Sequence, residues 1–378
     1  MAPVDRNGFQ VAVICAVNVE SKAIKAILNP NFGDENPYGK ADNDPNSYQT
    51  GMIGRHPVVL VFCSGMGKVG AAIAASNLRI SFPRLKLCLL AGICGGVPSD
   101  KIFLGDVIVS KGIVQFDFGR QHDDRFVRKS SFYDIPGRPS ASIRSFLHLL
   151  ETSKEDTGFQ ESILQCLNAI SAQDPSIAIH PPADEPDQVY PNHYVHKHYN
   201  PVPCPTGECS RWKNVGDPVC RNSRDASCGD VGCQAAKATQ RSPPPDRSGL
   251  TSKIHLGLFG TSDQVMKSAQ HRDACVEEEG VLGFEMEGAG VWVSDLPTII
   301  VKGVCDYADG HKNKKWQSYA AGRAAACVKA MLDQWTETEA TQTRTGESQG
   351  TSYHNTQSKI MTQGGSHSFG GRNTFSIS

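Results

Sequence analysis

Apolar and polar positions alternate in blocks of strand and helix length over residues 9–150. Residues 10–16 form an apolar run, and Glu20 to Leu28 follows it with helical spacing. Residues 57–63 predict a second strand, a glycine-punctuated turn comes next, and Ala71 to Ile80 reads as an alanine-rich helix. Leu85 to Ala91 is a further apolar run. Gly92-Ile93-Cys94-Gly95-Gly96 follows, open to either a ligand-holding edge or a turn, and Asp106 to Ser110 reads as another strand. Strands this uniformly apolar are buried on both faces. They predict an α/β domain with a central twisted, mixed or mostly parallel sheet flanked by helices.

The pattern breaks over 151–250, where Pro181-Pro182, Pro201 to Pro205 and Pro243-Pro244-Pro245 punctuate polar sequence. Apart from a short helix around Glu161 to Ile170, that stretch reads as a long irregular insertion rich in proline and cysteine. Order returns at Ile254 to Phe259, followed by a helix near Gln264 to Cys275, the strand Thr298 to Val304 and a closing helix, Tyr319 to Trp335. The α/β domain thus spans 9–150 and 251–335. Residues 336–378 form a polar, low-complexity tail with no means of building a core. Its ending, 364–378, interleaves Gly, Ser and Asn with Phe369, Phe375 and Ile377, a composition suited to cross-β stacking.

Charge narrows the partners. Lys and Arg number 38 against 39 Asp and Glu, so no basic field points to nucleic acid or to an anionic membrane. The first residues lack the basic start and apolar core of a secretory signal, and the longest apolar runs have strand length. The expectation is a soluble, cytoplasmic protein whose thirteen cysteines are free thiols.

Four segments carry candidate chemistry. Gly65-Met66-Gly67-Lys68-Val69-Gly70 matches G-x-G-x-x-G between a strand and a helix, but no acid stands in Phe82 to Leu90, where a nicotinamide site wants one. A ligand loop at a helix N-terminus fits better than a dinucleotide fold. Gly92 to Gly96 follows a buried strand, the edge at which open α/β sheets hold ligands. Phe284-Glu285-Met286-Glu287 sets two carboxylates among apolar residues, placed to grip a vicinal diol. Asp306, just past an apolar strand, is a better acid candidate than Asp309, which looks like a helix cap. Cys204, Cys209, Cys220, Cys228 and Cys233, with His193, His196 and His198, raise a zinc-stapled insertion. Their spacing is looser than C-x2-C pairs, and neither metal nor cofactor is assigned to the chemistry.

Together these pieces resemble the purine and uridine phosphorylase superfamily, above all its nucleosidase branch, over roughly 9–150 and 253–333. Ala16 to Glu20, Ser64 to Val69, Ala91 to Gly96, Gly105 to Ser110, Phe284 to Glu287 and Cys305-Asp306 stand in the family's order. Gln115 to Gly119, Gln264 to Lys267 and Asp306 to Lys314 look like the fungal members attached to NOD-like receptor architectures. The resemblance implies that Asp306 assists the leaving purine and that Glu20 orients and deprotonates water. Glu287 would bind ribose, with Met286 under the sugar, and Ser64, Gly65, Gly67, Gly95, Val265, Phe284 and Glu285 around the substrate. It also implies a homo-oligomer.

Where the phosphorylases have an Arg before the glycine loop and a Ser within it, this chain has Leu90 and Ile93, so hydrolysis is expected over phosphorolysis. Lys68, Arg120 and Lys312 are candidates to hold a 5′-phosphate chain, which would make an ATP-like nucleotide a substrate beside adenosine. The tail implies a second role: a defence or cell-death effector switched through an amyloid-like motif by a NOD-like receptor. A phosphate-dependent phosphorylase and a non-catalytic nucleoside sensor stand as alternatives.

Overall fold

Strand β1 (Val11–Cys15) is buried at every position, so its alternating side chains feed two different cores. Val11, Val13 and Cys15 point to one side of the sheet, Ala12 and Ile14 to the other. This is the computed structural model of the chain, and it describes residues 2–30, 37–131, 133–214, 217–242 and 253–336. The tail motif at 364–378 lies outside the described residues.

In chain order β1 is followed by α1 (Asn18–Lys25), β2 (Ser47–Ile53), β3 (His56–Phe62), α2 (Lys68–Ser81), β4 (Leu87–Gly96) and β5 (Val107–Gln115). A small ribbon, β6 (Gly119–Gln121) and β7 (Phe126–Arg128), precedes α3 (Ala141–Ser153) and α4 (Thr157–Gln173). The insertion holds β8 (Gln188–Val189), the short helices α5 (Glu208–Arg211), α6 (Arg221–Asp225) and α7 (Cys228–Val231), and β9 (Thr239–Gln240). The chain then forms β10 (Ile254–Thr261), α8 (Ala269–Glu279), β11 (Val281–Glu285), α9 (Gly288–Trp292), β12 (Thr298–Asp306) and α10 (Gln317–Gln334).

Eight strands form one sheet in the order β11-β10-β5-β12-β4-β1-β3-β2. β1 runs parallel to β3 and β4, β12 parallel to β4, and β10 parallel to β5 and β11. β2–β3 and β12–β5 are antiparallel, so the sheet is mixed, as expected. β11 curls back to meet β4 through Gly283↔Gly96 and Phe284↔Gly95. Strands β4, β12, β5, β10 and β11 therefore close a ring, and the glycines at 95, 96 and 283 let their backbones approach there. Helices α1, α3, α4 and α10 cover one face, with Ile24, Leu150, Ile163 and Met331 in a common core. Helices α2 and α9 cover the other through Ala71, Leu78 and Val291. Among the described residues no helix is long and apolar enough to cross a membrane.

Two local expectations are sharpened. Gly92 to Gly96 is no turn but the last half of β4, because strands flank it on both sides and small residues there admit neighbouring side chains. The helix foreseen at Glu161 to Ile170 extends over Thr157–Gln173 and buries Phe159, Ile163, Leu167 and Ile170 in the main core. The insertion is tied back to the domain by Asp187, which accepts from Tyr307 Oη at 2.7 Å and from Leu104 N at 3.0 Å.

α2 and α9 touch where Gly290 faces Lys68; a Cβ on Gly290 would lie 2.0 Å from the Lys68 carbonyl oxygen. Gly290→Ala is expected to lower stability by about 1–3 kcal/mol through overpacking, read from urea denaturation. Unchanged stability would show that the helices do not seat this closely.

Candidate active site

Glu20 stands in the first turn of α1 and reaches back to the chain that enters it. Its Oε2 accepts from Ala16 N at 2.8 Å and Val17 N at 3.1 Å, which satisfies donors that a helix start leaves open. Its Oε1 accepts from Ile93 N at 2.9 Å and from Lys302 Nζ at 3.1 Å. The carboxylate reaches β4 only because position 92 is glycine: a Cβ there would lie 1.8 Å from Oε1.

Lys302 is the partner that pattern reading overlooked. It sits in the middle of β12, 1% exposed, with Nζ 3.1 Å from Glu20 Oε1 and 3.5 Å from Glu287 Oε2. Burial works against its charge, but Glu20, Glu287 and Glu285 outweigh burial and hold the ammonium above its ordinary pKa. A signal existed: a lysine inside an otherwise apolar strand is almost never buried without partners.

The two glutamates expected to act together divide the work. Glu285 ends β11, and its carboxylate accepts from Glu287 N at 2.9 Å and Gly288 N at 2.8 Å, so it caps α9 rather than gripping a diol. Burial first, and the charge of Glu287 second, push its pKa up to about 7, against the pull of its backbone donors. Glu287 instead bridges: Oε1 accepts from Gly67 N at 3.2 Å while Oε2 faces Lys302. Met286 between them is half-buried.

Ser64 and Gly65 are exposed at the end of β3, and Gly67 turns with φ +100°, a conformation open to glycine. Lys68 is already committed. Its Nζ donates to Asp117 at 2.6 and 2.7 Å and lies 3.5 Å from Asp263. Burial opposes the charge of Asp117, yet Lys68 and neighbouring donors keep its pKa below the ordinary value. Arg120 is exposed on β6, away from these pairs.

A register shift in β12 between Val304 and Asp306 sets Asp306 opposite Gly95. Its Oδ1 accepts from Ala308 N at 2.8 Å, and Oδ2 lies 3.3 Å from Lys312 Nζ. A Cβ at Gly95 would come within 2.9 Å of Oδ1. Ala308 holds φ +53°, a strained backbone of the kind found at functional sites. Phe284 meets Phe116 edge-on at 5.7 Å, and Met266 packs with them, while Val265 remains exposed. Glu20 approaches β4 at Gly92 and Asp306 approaches it at Gly95. The cavity of about 670 Å³ between the insertion and Lys267 to His271 borders Asp309 to His311 and not Glu20.

Residues 10–156 match the model of the phosphorylase superfamily. The solved futalosine hydrolase of Helicobacter pylori superposes with a TM-score of 0.51 at 14% identity, covering 87% of this chain and 99% of that one. A 5′-methylthioadenosine/S-adenosylhomocysteine nucleosidase of the same species gives 0.50 at 13%, covering 87% and 100%. The fold is that of the phosphorylase superfamily.

Among curated proteins, a nucleotide-binding leucine-rich repeat (NLR)-like protein of Hyaloscypha variabilis is 30% identical over 332 residues, 86% of this chain. A 5′-methylthioadenosine/S-adenosylhomocysteine nucleosidase of Mycobacterium bovis is 32% identical over 78 residues, 21% of this chain. The match spans 29% of the length of each. On the phosphorylase-superfamily fold, Glu20, Gly67 and Glu287 come together around Lys302, while Asp306 stands beside Gly95 with Lys312. Lys68 and Arg120 do not join either group.

Removing one member of a buried ion-pair group leaves charge stranded, so Lys302→Met is expected to cost about 3–5 kcal/mol in urea denaturation. The raised pKa of Glu285 means that its folded state favours the proton. Its contribution to stability is full below the ordinary carboxylate pKa of 4.5 and is lost as pH rises through about 7. Over that window wild-type stability should fall by at most about 1.4 kcal/mol per pH unit relative to Glu285→Gln. Parallel pH profiles for the two proteins would contradict this.

Proposed function

We propose that the chain is an N-glycosidase that hydrolyses the bond between a purine and ribose. The observation that carries this reading is the buried Glu20–Lys302–Glu287 group, with Asp306 at the end of the strand that holds Lys302, beside Lys312. A ribosyl cation developing at C1′ needs fixed negative charge nearby, and preorganised carboxylates supply it without reorganisation. In this reading Glu287, fixed by Gly67 and Lys302, takes the ribose hydroxyls. Glu20 receives the proton of the attacking water as its bond to Lys302 loosens. The departing base takes its proton from the Asp306–Lys312 pair rather than from an isolated carboxylic acid.

Hydrolysis is favoured over phosphorolysis because the cation nearest Glu20 is Lys302, shared between two carboxylates. A phosphate dianion entering there would face Glu20 and Glu287, and Leu90 is fully buried while Ile93 offers Glu20 only its backbone N–H. The commitment of Lys68 to Asp117 and of Lys312 to Asp306 favours a nucleoside over an ATP-like nucleotide, for which Arg120 is the uncommitted cation of the three. The likeness to part of a nucleotide-binding leucine-rich repeat (NLR)-like protein is the ground on which a receptor-linked role is proposed. Exposed Met66, Val69 and Ile73 beside the glycine loop support self-association.

A panel of adenosine, inosine, 5′-methylthioadenosine and ATP, with free base and sugar product measured with and without phosphate, tests the reading. Free base is expected in both buffers, with Glu20→Gln and Asp306→Asn each lowering kcat by about 10²- to 10⁴-fold. Ribose 1-phosphate formed only with phosphate would establish a phosphorylase; binding without turnover would establish a sensor.

A further inference from the structure

The insertion gathers Cys204, Cys209, Cys220, Cys228 and Cys233 and two of its histidines into two knots. In the first, His198, Cys204, Cys209 and Cys220 each bring a ligand atom within 4.8 Å of the others. His198 Nδ1 lies 3.6 Å from Cys209 Sγ and 3.3 Å from Cys220 Sγ, and both thiols are fully buried. In the second, His196, Cys233 and His311 meet the same condition. His196 Nδ1 lies 3.5 Å from Cys233 Sγ and 3.8 Å from Cys228 Sγ.

These separations suit a shared ion. Tetrahedral zinc, with Zn–S near 2.3 Å and Zn–N near 2.0 Å, places neighbouring N and S ligands about 3.6 Å apart. A disulfide would instead bring two sulfurs to about 2.05 Å, whereas all these cysteines are free thiols. The histidines are oriented as metal ligands are. His196 Nε2 lies 3.1 Å from the Ala226 carbonyl, which leaves Nδ1 to face the thiols. The His311 side chain is 8% exposed, its Nε2 is buried with no hydrogen-bond partner, and its Nδ1 is 3.9 Å from Asp309 Oδ1.

We propose that the insertion binds two zinc ions, one held by His198, Cys204, Cys209 and Cys220, the other by His196, Cys228, Cys233 and His311. Thiolate and imidazole sets of this kind, closed with four protein ligands, select zinc in a structural role. The need is physical: α5, α6 and α7 have four or five residues each, too few to be stable helices by themselves. Each ion substitutes for the core that this segment lacks. The second ion does more, because His311 belongs to the main domain, five residues after Asp306. It pins the insertion to the segment that carries Asp306 and Lys312. The loose cysteine spacing in the sequence follows from two interleaved sites, with His196 and His198 serving different ions.

The test is metal content and does not depend on any enzymatic activity. Full-length protein, purified without chelators from zinc-supplemented cells, is expected to carry two zinc ions per chain by native mass spectrometry. Cys209→Ser with Cys220→Ser should remove one ion, and Cys233→Ser with His311→Ala the other. In the wild type, where no variant can misfold, mercurial modification of thiols should release two equivalents of zinc to a colorimetric chelator. A folded, zinc-free chain overturns the proposal, as do disulfides among these five cysteines. A wild-type chain that carries a single ion, with the same content in the Cys233→Ser, His311→Ala protein, overturns the second site.

Discussion

The ammonium of Lys302 is the interaction on which the site depends. Three carboxylates, those of Glu20, Glu285 and Glu287, are brought into one buried region, where like charges repel far more than in water. Glu285 shows what happens without a direct ion pair: backbone donors satisfy its hydrogen bonds, yet its pKa rises to about 7. Glu20 and Glu287 touch Lys302, which sets a cation beside both carboxylates. The lysine thus lets one buried region hold several carboxylates at once.

Space for these carboxylates comes from glycines. Gly92 makes room for Glu20, Gly95 for Asp306 and Gly288 for Glu285. Gly67 serves differently, by turning its N–H onto Glu287. The glycine-rich segments are therefore less a cradle for phosphate than vacancies and donors fitted to protein acids. Closure of β11 onto β4 brings the two sets together, since Phe284 and Gly95 pair directly beside Asp306.

Much of this was legible in the chain. Uniformly apolar strands foretold the buried sheet. The resemblance on six short segments anticipated the superfamily fold. Three things were not legible. Gly92 to Gly96 stayed open to a turn because local glycine content says nothing of strands pairing on both sides. Glu285 and Glu287 looked equivalent because a two-residue spacing implies a shared direction only while the strand continues, and it ends at Glu285. The partners of Lys68 were hidden because Asp117 and Asp263 arrive from distant parts of the chain.

The most direct test of this account is a double-mutant cycle on stability using Lys302→Met and Glu20→Gln. If the ammonium neutralises a buried carboxylate, Glu20→Gln added to Lys302→Met should recover part of the lost stability, with a coupling of about 0.5–3 kcal/mol. Strictly additive losses would contradict the account and reduce Lys302 to a residue that merely fills space.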